Sequence, residues 1–287
     1  MILPQNFQIR GNYALVYTDR SYLPRRFNPK NILDNFKGNE AYSGQITSSS
    51  AKRIRKAVSV FVQRSDKKTI FNTVTSKYQD FKIGFLTLTI PDLTSNNNSF
   101  YYKCLLKPFL RKLKDKYQVS DYIWKAEVQK RGSIHYHLTI NQFVPYTYLR
   151  DSWNELLNKN GLMNSYISKY GNVSPNSIDI HSVINIDNIE GYLSKYISKK
   201  QDNGTKLIGK VWGCSESIQG VGYFSKVLGY EMEILINKLE NQKKIIVKSF
   251  DQFSIIRFVG KVNWWLFGTI LNDDYSNWRS NRLVLKI

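Results

Sequence analysis

DYIWKAEVQKRGSIHYHLTIN, residues 121–141, decides the fold. Two runs that alternate along the chain, WKAEVQ and IHYHLTI, flank a tight RGS turn, which is the pattern of a β-hairpin. A hairpin forces its strands antiparallel and so excludes an all-parallel sheet. Upstream, KIGFLTLTI (82–90) reads as a strand ended by Pro91, and residues 99–117 read as a helix that Pro108 kinks or splits. Downstream, LRDSWNELLNKNG (149–161) is a helix closed by Gly161, SIDIHSVIN (177–185) a strand, and DNIEGYLSKYISKK (187–200) a helix with an Asp or Asn cap. The order β, α, β, β, α, β, α predicts an α+β domain whose central antiparallel sheet is flanked by helices.

Outside this core the reading is coarser. Residues 1–75 form an N-terminal extension, irregular or short-stranded at first. It then carries a helix over 48–64 with Ile54, Ala57, Val58, Phe61 and Val62 on its core side. Residues 76–205 form the central domain, and 206–287 a C-terminal α/β extension with a helix over 223–242 and strands in KKIIVKSF and SIIRFVGKVNWW. No internal repeat stands out.

Lys and Arg number 42 against 22 Asp and Glu, a formal net charge of +20. Such an excess points to a polyanionic partner, and the 19 Tyr, 15 Phe and 6 Trp beside it suit stacked, unpaired bases. Lys52, Arg53, Arg55 and Lys56 on the first helix, Lys130 and Arg131 at the hairpin turn, and Lys200 are the candidate DNA contacts; a solvated basic face is the plainer reading of the first four. The charge is scattered, so no amphipathic membrane-binding helix is expected, and no apolar run approaches a membrane span. The N-terminal MILPQNFQIRGNY has no secretory signal pattern, and Cys104 and Cys214 lack metal-ligand spacing, so a reducing cytoplasm is expected.

Two of the three histidines stand one residue apart. Side chains alternate across a strand, so His135 and His137 share a face and can chelate one divalent ion, while Tyr136 points the other way. Glu127, and Gln129 two residues on, lie on the same face of the preceding strand. Two imidazoles and one oxygen leave positions open for a phosphate and water, a catalytic rather than a structural arrangement. Simple packing of an HxH pair is the competing reading. In YLSKYISKK (192–200), Tyr192 and Tyr196 form one helical row and Lys195 and Lys199 another beside it. An aromatic stripe packed on the sheet with a solvated Lys flank competes with a catalytic role. His181 is read as a strand residue that contacts DNA or packs.

FLTLT (85–89), GSIHYHLTI (132–140) and YLSKYISKK (192–200) resemble, in the same order, the three motifs of HUH endonucleases, specifically two-tyrosine rolling-circle replication initiators of the ORF2/gene II type. The resemblance covers about residues 80–200 and implies a ferredoxin-like or RRM-like palm. It further implies His135, His137 and Glu127, or Gln129 in its place, as ligands of Mg²⁺ or Mn²⁺. Tyr192 and Tyr196 would be nucleophiles that nick and rejoin single-stranded DNA, or an origin hairpin, through a 5′-phosphotyrosine, with Lys195 and Lys199 neutralising phosphate. The chain has no GxxxxGK[ST] loop, so a host helicase and polymerase are expected partners. The alternatives are a transposase or relaxase with the same chemistry, a non-catalytic origin-binding protein, and a phosphoesterase in which water attacks.

Overall fold

A computed structural model describes residues 5–10, 13–18, 44–91, 97–129, 132–172, 174–183, 189–198, 207–251, 253–260 and 263–280. They form two compact units, one from described residues within 40–61 and 65–219, the other from those within 1–39, 62–64 and 220–287. Lys130, Arg131, Lys199 and Lys200 lie outside the described residues.

Strands β1 (Gln5–Arg10) and β2 (Tyr13–Thr18) pair antiparallel. Helix α1 (Ser48–Arg64) starts where the Thr47 hydroxyl accepts from the Ser50 N–H at 3.1 Å, satisfying a donor that the first turn leaves open. Its Ile54, Ala57, Val58 and Phe61 are buried, Lys52, Arg53 and Arg55 are exposed, and Lys56 and Val62 are half-buried. A hairpin of β3 (Lys68–Asn72) and β4 (Lys77–Phe81), which no clear alternation in the sequence announces, precedes β5 (Ile83–Thr89).

Helix α2 (Asn98–Tyr101), a π-helical turn (Tyr102–Leu106) and α3 (Lys107–Tyr117) run head to tail. Where the sequence reading expects a kink or split at Pro108, the helical run is continuous but changes its pairing. The run changes to the wider π pairing just before it, which accommodates a residue that has no N–H to donate, and Pro108 falls in the first turn of α3. Next come β6 (Tyr122–Val128), β7 (Ile134–Ile140), α4 (Tyr146–Lys159), α5 (Asn164–Tyr170), β8 (Ile178–Val183), α6 (Ile189–Ser198) and β9 (Trp212–Cys214). Gly161, expected to close α4, sits in the left-handed region at φ 71° one residue past the capping Asn160.

The last elements are β10 (Ser225–Val227), α7 (Tyr230–Asn241), β11 (Ile245–Ser249), β12 (Phe253–Phe258), a 3₁₀ turn (Trp264–Phe267) and α8 (Gly268–Ser280). The helix expected over 223–242 therefore begins at Tyr230, because residues 225–227 pair with β1 and Gly229 caps the helix. SIIRFVGKVNWW is a strand only as far as Phe258.

In the first unit the sheet order is β8-β5-β7-β6-β9, antiparallel throughout, so the molecule is α+β with antiparallel sheets flanked by helices, as expected. One face of this sheet is apolar. Leu86, Leu88, Trp124, Ala126, Tyr136 and Leu138 are all buried there, and the rings of Trp153 from α4 and Tyr102 from the π turn pack on Tyr136 and Trp124. Burial of each of these leucines stabilises the fold by roughly 1.5–3 kcal/mol. The second unit has its own sheet, β10-β1-β2-β12-β11, also antiparallel, and its own core of Phe7, Ile9, Ala14 and Ile256 against Met232, Ile236 and Leu239 of α7 and Leu271 of α8.

Candidate active site

The opposite face of the first sheet carries the polar residues, and strand register brings them together. His135 lies opposite Thr89 of β5 and Glu127 of β6, and His137 lies opposite Thr87 and Lys125. The period of two that buries Tyr136 thus puts both imidazoles on the polar face. The Glu127 carboxylate leans across the register, with Oε2 3.2 Å from His137 Nε2 and 3.6 Å from Lys125 Nζ. The hydrogen bond from His137 holds its pKa down at about 2, against the opposing pull of burial and with the help of Lys125.

His135 is buried, and burial together with the nearby His137 pushes its pKa down to about 4, which keeps the ring neutral and able to ligate. Its Nδ1 is 3.0 Å from the Gln129 side-chain amide, which in turn meets the Ser133 hydroxyl at 3.4 Å. Its Nε2 is buried with no hydrogen-bond partner. A buried ring nitrogen with nothing to bond is costly unless a ligand completes it. The Thr87 hydroxyl meets His137 Nδ1 at 3.3 Å, so His137 has polar groups at both ring nitrogens, Thr87 and Glu127, and His135 has one, the Gln129 amide.

Two imidazoles and a carboxylate are a donor set suited to Mn²⁺, and less to Mg²⁺, which prefers oxygen throughout. The orphaned His135 Nε2 fits such an ion. Among the described residues no three His, Cys, Asp or Glu side chains close on one point as a metal cage, and Glu127 is engaged with His137. Gln129 touches His135 but its amide serves to hold the ring.

Helix α6 covers this same face. Ile189, Leu193 and Ile197, four residues apart, are buried, and the adjacent row presents Tyr192 and Tyr196 with ring centroids 4.7 Å apart. Phe85 joins helix to sheet: its ring stacks on His137 at 5.7 Å and meets Tyr196 edge-on at 6.2 Å. Lys125, buried within the sheet, donates to the Tyr196 carbonyl at 3.4 Å in the last turn of α6, where carbonyls lack helical partners. Partial burial and the neighbouring Tyr196 raise the pKa of Tyr192. Tyr196 is 49% exposed and Lys195 is also exposed.

Of the residues read from the sequence, His135, His137, Glu127, Gln129, Tyr192 and Tyr196 therefore gather on one side of one sheet. His181 shares that face on β8, where it lies opposite Phe85, is exposed and sits 2.9 Å from Asp179. Lys125 and Phe85 are site residues that the sequence reading passes over. Alternation along WKAEVQ already puts Lys125 on the face of Glu127, and FLTLT puts Phe85 on the face of Thr87.

Residues 83–201 match the family of replication-associated proteins of the ORF2/gene II protein type. No curated protein and no solved structure matches the chain. Among the described residues no helix is long and apolar enough to cross a membrane. The matched segment holds the hairpin, the histidine face and the two-tyrosine helix, so this part of the chain is similar to replication-associated proteins of the ORF2/gene II type.

Proposed function

We propose that the chain initiates rolling-circle replication by nicking and rejoining single-stranded DNA with a tyrosine nucleophile. The observation that carries this reading is that Tyr196 lies against Phe85, whose ring stacks on His137. His135 and His137 with Glu127 would hold Mg²⁺ or Mn²⁺, and such an ion would withdraw charge from the scissile phosphate. The phenol of Tyr196 attacks phosphorus, a bond forms from its oxygen to phosphorus, and the bond from phosphorus to O3′ breaks. The phenolic proton leaves to solvent and O3′ takes one up, so a 5′-phosphotyrosine and a free 3′-OH result. Tyr196, beside Phe85, makes the first attack, and Tyr192 receives the strand when it is rejoined. Lys195 and Lys199 neutralise phosphate charge, and Lys52, Arg53, Arg55, Lys56, Lys130, Arg131 and Lys200 hold the strand. Host proteins supply unwinding and synthesis.

The test is a labelled single-stranded origin oligonucleotide incubated with the protein and Mn²⁺ and resolved on a denaturing gel. A covalent adduct that persists in Tyr192→Phe, falls in Tyr196→Phe and is absent from the double variant and from His135→Ala/His137→Ala is expected. Cleavage without an adduct would mean that water is the nucleophile, and tight binding without cleavage that the protein only binds its origin.

A further inference from the structure

The two faces of the second unit's sheet differ in kind. On one, Phe7, Ile9, Ala14 and Ile256 join the core under α7 and α8. The register fixes what the other face presents. Tyr17 lies opposite Phe253, Tyr13 opposite Arg257, and Lys248 opposite Ile255, and none of these belongs to the unit's core cluster. Phe253, Arg257 and Lys248 are exposed, while Tyr13 and Tyr17 are half-buried. At the hairpin end the exposed Phe250 ring stacks on Phe253 with centroids 4.8 Å apart, and Lys248 Nζ sits 5.4 Å from the Phe250 centroid.

Charge is segregated across the sheet. Among the described residues no Asp or Glu lies on the strands of this face. Glu231, Glu233 and Glu240 lie on α7, and Asp274 on α8 pairs with Lys226 at 2.8 Å on the helix side. Asp251 stands in the turn beyond the strands. Flat rings interleaved with cations, and free of carboxylates, bind a flexible polyanion with π-faces. The same face would repel a second copy of itself, since Lys248 and Arg257 would meet their own kind. Rigid duplex presents phosphates but no open base to stack upon.

We propose that this face, built on Tyr13, Tyr17, Phe250, Phe253, Lys248 and Arg257, is a second binding site for single-stranded DNA, separate from the tyrosine site. It rests on the reading that the chain acts on single strands, but not on the nicking chemistry.

The experiment uses the full chain carrying Tyr192→Phe/Tyr196→Phe, so that no adduct forms, and measures fluorescence anisotropy with a labelled dT₂₀ oligonucleotide across a salt series. Tyr17→Leu/Phe253→Leu keeps the strands apolar and is expected to weaken binding by about 5- to 150-fold for each ring that stacks a base. Lys248→Gln/Arg257→Gln is expected to lower the slope of log affinity on log salt by about 1.4, near 0.7 for each phosphate no longer neutralised. Lys238→Gln, on the exposed side of α7, should change neither. Affinity and slope within error of the parent in both double variants would overturn the proposal, as would a defect seen only in self-association. If the wild-type chain makes no adduct yet these variants lose affinity, the nicking reading falls and this site stands; adducts with unaltered affinity give the converse.

Discussion

Glu127→Gln removes one charge from a buried contact while keeping the side chain's shape, and its cost can be worked from the distances. Lys125 Nζ lies 3.6 Å from Glu127 Oε2, with the lysine side chain 3% and the glutamate 34% exposed. Unit charges at that separation attract by about 5 kcal/mol at an effective dielectric of 20 and by about 1 kcal/mol in bulk water. A carboxylate one-third exposed falls nearer the lower figure, about 2 kcal/mol. The variants are unequal because the partners are. Glu127→Gln leaves the ammonium in the sheet interior with this charge gone, whereas Lys125→Met leaves a carboxylate that still meets His137 at 3.2 Å and reaches water. Glu127→Gln should therefore destabilise the first unit by about 2 kcal/mol, Lys125→Met by less than about 1, and the double variant by less than the sum. Because the chain has two compact units, global melting would mix them, so the measurement is amide hydrogen exchange on peptides covering 122–128 and 134–140. A Lys125→Met cost equal to or above that of Glu127→Gln, or strict additivity, would refute the reasoning.

Phe85→Leu, which stays apolar but loses the flat ring between His137 and Tyr196, should lower adduct formation several-fold on the denaturing gel while amide exchange of the peptide covering 83–89 changes little. Gly213→Ala should destabilise the first unit by about 1–3 kcal/mol in the same exchange measurement, since an added Cβ would stand 2.8 Å from the Trp124 ring nitrogen. Burial pushes the Cys214 thiol up from its usual range, so at any pH below that raised value less of it is thiolate. Its alkylation by iodoacetamide, followed by mass spectrometry, should be slower at pH 8 than that of a free cysteine and should gain on it as pH rises.

The central fold is legible in the sequence because its signals are local. Alternation in WKAEVQ and IHYHLTI and the spacing in YLSKYISKK are set within a few residues, and they place β6, β7 and α6. The second unit is not legible in this way. β2 pairs with β12, more than 200 positions along the chain, and no window on the sequence reports such a pairing. β10 has three residues, too few to show a period, and reads as part of the helix that follows it. At the site, the imidazoles follow from alternation, whereas Lys125 breaks the expectation that a lysine stays in water. Only the sheet's neighbours make its burial intelligible.

The strand that bears the histidines also bears Tyr136, which is wedged between Trp124 and Trp153 on the far side and donates its hydroxyl to Asn98. A slip of one residue along β7 would turn Tyr136 onto the polar face beneath α6 and drive His135 and His137 among the indoles. The aromatic wedge therefore works as an indexing pin: it sets which side chains the chemistry meets without touching any of them. Changes on that hidden side should register as errors of alignment at the histidines before they register as loss of the fold.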